Sequence, residues 1–237
     1  MTDSVTEAAP AVGEAAPALP EAAPAPHAVR APRRNHPTLE QLAALYPRLF
    51  GASPAPLKRG IFQDLLAAHP EAFEKEALKA ALGIHTRSTR YLQVVATGAQ
   101  RRDLQGQPVE ALAPEHVHHA MVELWRRRAG RTPEAEQLAL RAHWCARIAR
   151  AFDASGLSRE AYAELTRTRD EAANLLLDEA LTEAATMAAK DEALLRAFEN
   201  GASSTTVDAF ADMYGLNPRV AAQTLERARR RRAPTAA

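Results

Sequence analysis

From residue 38 onward the chain consists of alanine- and leucine-rich segments separated by glycine and proline. Alanine and leucine are strong helix formers, and the sequence has few runs of the β-branched residues that favour strands. Only 5% of the residues are aromatic, so leucine, alanine and valine must fill the core. The sequence therefore predicts a predominantly helical fold, and a chain of 237 residues is long enough to bury a substantial core.

Composition divides the chain into three regions. Residues 1–37 are an Ala/Pro tract with too little bulky apolar content to fold, and we expect a disordered arm. Residues 38–130 contain several amphipathic segments, and Gly130 is expected to end this first domain. Residues 131–237 are expected to form an all-α accessory region with an arginine-rich C-terminal tail.

The net charge of +1 hides an uneven distribution. Residues 30–128 carry 15 basic and 9 acidic residues, whereas residues 1–29 carry four acidic residues and no Lys or Arg. Clustered positive charge attracts polyanions such as nucleic acids. A solvated helical surface explains the same charge equally well, so charge alone leaves both interpretations open.

Cellular location is constrained by three further features. No apolar run approaches the roughly 20 residues that cross a bilayer. Asp3, Glu7 and Glu14 stand where a secretory signal has basic residues. A single cysteine, Cys145, excludes an intrachain disulfide and suits a reducing compartment. We therefore expect a cytoplasmic protein without a membrane partner.

Helix boundaries in the first domain are predicted from capping residues. Thr38 is expected to cap the first helix, and Gly83 is expected to end the helix over "EAFEKEALKAAL". A short helix over "STRYLQVVA" should follow, capped by Thr86 or Ser88 and closed by Gly98. The segment "RRDLQGQPVEAL" then predicts a tight β-hairpin that turns at Gln105 and Gly106.

The segment 85–106 concentrates cations and hydroxyls around that short helix. The free N–H groups at a helix start bind anions, and an exposed aromatic ring stacks on bases. The pattern therefore predicts a pocket for a nucleic-acid backbone or a terminal phosphate. The alternative is structural: Tyr91 and Leu92 are core, Thr86 merely caps, and Arg90 pairs with Asp64 or Asp103.

Four segments, in this order and at these spacings, resemble the ProQ/FinO family of bacterial RNA chaperones: "PLKRGIFQDL", "ALKAALGIHTRSTRYL", "GAQRRDLQG" and "PEHVHHA". The resemblance covers about residues 38–128. It implies an α+β RNA-binding domain, mostly helical with a small β-hairpin. It also implies binding of structured RNAs at the base of a stem-loop and its single-stranded 3′ end, as in terminator hairpins. Such proteins stabilise small RNAs and promote RNA–RNA annealing with mRNAs in post-transcriptional regulation.

The candidate RNA-binding residues combine the family motifs with the cationic pattern. Two positions depart from the family, because Gly83 stands where a basic residue is common and His85 where Tyr is common. Residues 131–237 match neither the Lys-rich linker nor the small β domain of longer members. The full candidate set is Lys58, Lys75, Lys79, Thr86, Arg87, Ser88, Arg90, Tyr91, Arg101 and Arg102.

The resemblance and the residues together argue against an enzyme. The deep, narrow major groove of an RNA duplex hides its base edges, so the domain should recognise shape, phosphates and a single-stranded end. No Walker loop is present, so annealing should need no ATP, and we expect no cofactor. His116, His118 and His119 lack the further ligands that a zinc site needs. Cys145 lies in an apolar helical run and is expected to be core filler.

Two other functions remain open for the C-terminal region. The segment "AFADMYGLNPRVAAQTLERARRRR" has spacing near that of a helix-turn-helix, which would suit a DNA-associated regulator. Its arginine run could also contact RNA. The acidic helices before it could instead recruit a protein partner, as in an interaction scaffold.

Overall fold

The computed structural model describes residues 36–201 and 206–233, so the expected N-terminal arm lies almost wholly outside the described residues. The fold class is confirmed: the described chain is mostly helical, with one small antiparallel sheet. Its elements are α1 (Pro37–Leu45), α2 (Pro47–Phe50), α3 (Ile61–Ala68), α4 (Lys75–Thr86), α5 (Thr89–Val95), β1 (Arg101–Arg102), β2 (Pro108–Glu110), α6 (Pro114–Ala129), α7 (Glu134–Ser155), α8 (Arg159–Thr166), α9 (Glu171–Glu199), α10 (Val207–Met213) and α11 (Pro218–Arg232).

Two predicted helix boundaries are wrong. Thr38 does not cap α1, because His36 holds the N-cap position and Thr38 is buried inside the first turn. Gly83 does not end α4, which continues to Thr86. A glycine within a helix costs only about 1 kcal/mol relative to alanine. The continued helix α4 buries His85 after Gly83, as it buries Leu78 and Ala81 before it, and this burial favours its continuation.

The hairpin is confirmed and is joined to a second segment of the chain. Arg101 lies opposite Glu110, and Gly106 adopts a positive φ of 79° at the turn, a conformation that glycine accepts without strain. On the other side of β1, the N–H of Arg102 donates to the carbonyl of Pro56 at 2.7 Å. The N–H of Lys58 donates in return to the carbonyl of Arg102 at 2.9 Å.

One hydrophobic core runs through both halves of the chain. Its fully buried members include Leu65 and Leu78 from the first half and Ile148 and Leu177 from the second. Helix α6 connects the halves because it packs against α5 on one side and against α7 and α8 on the other. The division into separately folding domains at residue 130 therefore stays a prediction.

The C-terminal helices pack along α9. Helix α8 ends at Thr166, and α9 begins after Asp170, whose side chain caps it by accepting from the N–H of Ala173. Helices α7 and α11 both lie against α9. Within the described ranges, no helix is both long enough and apolar enough to span a membrane.

Candidate nucleic-acid interface

Ser88, and not Thr86, caps α5. The Ser88 Oγ accepts a hydrogen bond from the backbone N–H of Tyr91 at 3.2 Å. Thr86 is the last residue of α4, where its hydroxyl donates to the carbonyl of Leu82 at 2.9 Å. The N–H groups of Thr89 and Arg90 lie in the first turn of α5 and donate to none of the described residues. They are the backbone donors left to an anion at this position.

Tyr91 is a core residue, so the prediction of an exposed stacking surface is wrong. Its side chain is 7% exposed, and its ring packs against the ring of His85 at 5.1 Å between centroids. Its phenol oxygen accepts a hydrogen bond from the N–H of Leu57 at 3.1 Å. Burial raises the pKa of Tyr91, so the phenol stays protonated at neutral pH. The alternative that placed Tyr91 and Leu92 in the core is confirmed.

Arg101 holds the hairpin to the body of the domain. Its side chain is 12% exposed, and its Nη1 donates to the carbonyl of Leu57 at 2.9 Å. The carboxylate of Glu110 lies 3.8 Å from its Nε. That carboxylate also accepts from the backbone N–H and the Nε of Arg59, and the backbone donation is the main reason that its pKa is lowered. Arg101 therefore has internal partners for its charge.

Lys58 and Arg102 are more accessible but are also engaged. The Lys58 ammonium lies 2.8 Å from the Asp64 carboxylate, which raises the pKa of Lys58. This pairing uses the carboxylate that the structural alternative had assigned to Arg90. The Nη1 of Arg102 donates to the carbonyl of Gly106 at 2.6 Å and stabilises the turn of the hairpin.

Four exposed cations on α4 and at the start of α5 have no such engagement. We call Lys75, Lys79, Arg87 and Arg90 the α4–α5 cations; none of them forms an ion pair with a residue that the structure describes. Lys75 and Lys79 are four residues apart, which places them on one helix face, and Arg87 is the C-cap residue of α4. Unpaired cations on one face attract phosphates more strongly than cations that are already neutralised.

Gly83 contributes to this arrangement by lacking a side chain. It lies between Lys79 and Arg87 on the same face of α4, and a Cβ placed on Gly83 would lie 3.1 Å from an Nη of Arg87. The Arg87 guanidinium therefore folds back over the position where other residues would carry a side chain. A basic group thus lies close to residue 83 even though residue 83 is glycine.

His85 is the second departure from the family pattern, and it is buried. Its side chain is 8% exposed and lies between the rings of Phe50 and Tyr91. Its Nε2 has no hydrogen-bond partner among the described residues, and burial lowers its pKa to about 4. His85 is therefore a neutral packing residue at physiological pH and offers no charge to a phosphate.

Three of the six arginines of α11 form ion pairs within the described part of the fold. Asp191 is 3% exposed and accepts from Arg227 at 3.0 Å and from Arg231 at 2.8 Å. Arg232 donates to Glu192 and Glu199 of α9. The acidic face of α9 is therefore covered by α11 over much of its C-terminal half, which leaves fewer free cations for RNA or DNA than the sequence predicts. A nucleic-acid role of this helix pair stays a prediction.

Only His118 of the three histidines, together with Cys145, occupies a packing position. His118 is buried against Tyr162, whereas its neighbours His116 and His119 are exposed. Across residues 36–201 and 206–233, no cluster of three or more His, Cys, Asp or Glu side chains could hold a metal ion. Burial raises the pKa of Cys145 to about 11, so its thiol is protonated at neutral pH.

Comparisons with known proteins match the first half of the chain. Residues 33–137 match the model of the ProQ/FINO family. The RNA chaperone ProQ of Shewanella oneidensis is 44% identical over 89 residues, which cover 34% of this chain and 42% of that protein. The chain thus spans about two fifths of the length of this curated relative. An NMR solution structure of a ProQ homolog from Legionella pneumophila is 24% identical with a TM-score of 0.35, and the match covers 45% of this chain and 93% of that one.

Proposed function

We propose, from the match of residues 33–137 to the model of the ProQ/FINO family, that the protein is an RNA-binding RNA chaperone. It binds structured RNA at the base of a stem-loop and at the adjoining single-stranded 3′ end. By doing so it stabilises small RNAs and promotes their annealing to target messages. No catalytic step and no cofactor are part of this proposal.

The observation that carries the proposal is the absence of ion pairs at the α4–α5 cations. The neighbouring cations of the domain are held by carboxylates or carbonyls: Lys58 by Asp64, Arg59 by Glu110 and Arg101 by the carbonyl of Leu57. Lys75, Lys79, Arg87 and Arg90 remain exposed beside them. A protein surface on which four exposed cations pair with none of the described residues is suited to a polyanionic partner.

The shape of duplex RNA determines what these cations can recognise. Side chains cannot read the narrow major groove of an A-form helix, so contacts fall on phosphates and 2′-hydroxyls. In the proposed complex, Lys75, Lys79 and Arg87 follow the phosphates of the stem along α4. These contacts supply affinity that falls steeply with salt and is nearly independent of sequence.

The start of α5 is the proposed seat of the 3′ end. Arg90 lies in its first turn, next to the N–H groups of Thr89 and Arg90 that have no acceptor among the described residues. A phosphate or a terminal hydroxyl placed there would accept from these donors, and Arg90 would neutralise its charge. Tyr91 and Arg101 position the start of α5 and the hairpin relative to each other, because both side chains form hydrogen bonds with the backbone of Leu57.

A binding measurement with two RNAs tests this function. One RNA is a 5′-labelled terminator hairpin with its 3′ uridines, and the other is the same hairpin without them. We expect the full-length protein to bind the tailed hairpin more tightly in fluorescence anisotropy, and the preference to decrease in Arg90→Gln. A protein that binds neither RNA at physiological salt would contradict the function, and equal affinity for both would contradict the proposed 3′-end seat.

A further inference from the structure

A second cationic surface lies between α5, α6 and α7. Here a groove of about 830 Å³ is lined by four arginines and one carboxylate, that of Glu136. Its arginines are Arg127, Arg128, Arg131 and Arg147. Arg127 lies 3.8 Å from the Glu123 carboxylate, whereas Arg128, Arg131 and Arg147 form no ion pair with a described residue. The groove therefore carries an excess of positive charge that the fold does not neutralise.

Trp144 forms part of the groove wall. It lines the groove and is 5% exposed, and its Nε1 has no acceptor among the described residues. Buried N–H groups are nearly always paired, because leaving one unsatisfied is costly. The Arg147 guanidinium lies 4.5 Å from the centroid of the Trp144 ring, which holds it at the groove wall. A guanidinium held in this way at the groove wall suits an anionic ligand.

The groove adjoins the α4–α5 cations. Thr89 and Gln93 of α5 form part of its wall. The Thr89 hydroxyl accepts from the Nη1 of Arg127 at 3.2 Å, which links the end of α6 to the residue between Ser88 and Arg90. Single-stranded RNA next to the base of the bound stem therefore lies close to this groove. Most of the opposite wall comes from α7, which extends beyond the residues that match the family model.

We propose that this groove binds a single-stranded segment of the RNA held at the α4–α5 cations, with phosphates on Arg128, Arg131 and Arg147. This inference rests on the proposed function and assigns to α7 a role in the same complex. Guanidinium groups bind phosphates in a bidentate manner, and three of them along one groove match a repeating phosphodiester chain. The continuity with α5 favours RNA over an acidic peptide as the occupant.

The salt dependence of binding tests the groove. The variant Arg131→Gln/Arg147→Gln removes two groove cations, and Arg159→Gln/Arg169→Gln removes two exposed arginines elsewhere and serves as the matched control. The probes are a terminator hairpin with its 3′ uridines and a long single-stranded 5′ extension, and the same hairpin without the extension. The slope of log K against log salt is negative, and we expect its magnitude to decrease by about 1.4 in the groove variant, at about 0.7 per phosphate contact. This decrease should occur with the extended RNA only. The control variant should keep the wild-type slope.

A fluorescence readout provides a second test that does not depend on affinity. The chain has two tryptophans, so Trp125→Phe leaves Trp144 as the sole indole reporter. Saturation with the extended RNA should change the Trp144 emission, and the hairpin without the extension should not. Because Arg147→Gln could disturb the packing of Trp144, a second groove variant changes two exposed positions, Arg128→Gln/Arg131→Gln. It should decrease the magnitude of the salt slope by the same amount.

The outcomes separate this inference from the function on which it rests. A wild-type protein that binds no RNA contradicts the function itself. A wild-type protein that binds the extended RNA, together with groove variants of unchanged slope and unchanged Trp144 emission, contradicts only the groove. Variants that lose binding to poly-glutamate while keeping the wild-type RNA slope would also overturn the inference, since the groove would then be a protein-docking surface.

Discussion

The phenol oxygen of Tyr91 accepts a hydrogen bond from the backbone N–H of Leu57 at 3.1 Å, across 34 residues of sequence. The bond joins the start of α5 to the segment that pairs with β1. Arg101 bonds to the carbonyl of the same Leu57. Two side chains that the sequence predicts as RNA contacts therefore position the elements that carry the remaining ones.

This relationship predicts the effect of Tyr91→Phe. Removal of the hydroxyl leaves the buried N–H of Leu57 without an acceptor, which should lower the free energy of unfolding by about 1–3 kcal/mol in urea denaturation. RNA affinity of the folded variant should stay within about twofold of wild type, because the ring is buried and does not stack on a base. A variant of full stability that binds RNA much more weakly would show instead that the hydroxyl contacts RNA directly.

The two buried histidines predict a loss of stability in mild acid. Burial lowers the pKa of His85 and of His118 to about 4, below the ordinary value of 6.5. The unfolded chain therefore binds protons first, so the contribution of each histidine is full above pH 6.5 and is lost as the pH falls towards 4. When the pH falls from 7 to 5.5, each of these two histidines should lower the free energy of unfolding by about 1 kcal/mol.

The measurement that checks this is urea denaturation of His85→Phe at both pH values. The variant should lose about 1 kcal/mol less than wild type over the interval. His116→Gln, at an exposed histidine, is the control and should follow wild type. Equal losses in His85→Phe and wild type would mean that His85 titrates normally in the folded protein.

Asp191 links α9 to the C-terminal helix α11 through two arginines. Its buried carboxylate accepts hydrogen bonds from Arg227 and Arg231, so Asp191→Asn should destabilise the protein by about 1.5–3 kcal/mol. Asp212→Asn, at an exposed aspartate of α10, is the matched control and should change stability by less than about 0.5 kcal/mol. Thermal unfolding followed by circular dichroism measures the stability of both variants. An Asp191→Asn variant as stable as wild type would show that α11 is held by its apolar contacts alone.

Local sequence signals predicted the elements of the candidate site better than the use of its side chains. The hairpin around Gly106 and the cap at Ser88 follow from turn and capping chemistry within a few residues. Thr86 was an equally good capping residue, and only the continuation of α4 through Gly83 excludes it. The helical accessory region also follows from composition.

The partners of the charged residues could not be predicted, because they come from distant parts of the chain. Arg101 reaches Leu57 across 44 residues, and Arg227 reaches Asp191 across 36. The sequence shows a cation in each case but not the acceptor that the fold brings to it. For the same reason the groove at Arg147 was missed, since α6 and α7 form it only when they pack together. Its signal in the sequence is Arg131 and Arg147 on either side of Trp144.

The central claim is that the unpaired α4–α5 cations bind the phosphates of structured RNA. The most direct test compares the salt dependence of terminator-hairpin binding in wild type, Lys75→Gln/Lys79→Gln and the control Arg159→Gln/Arg169→Gln. We expect the magnitude of the negative slope of log K against log salt to decrease by about 1.8 in the α4 variant, at about 0.9 per duplex phosphate contact. The slope should stay unchanged in the control. Equal slopes in all three proteins would contradict the claim.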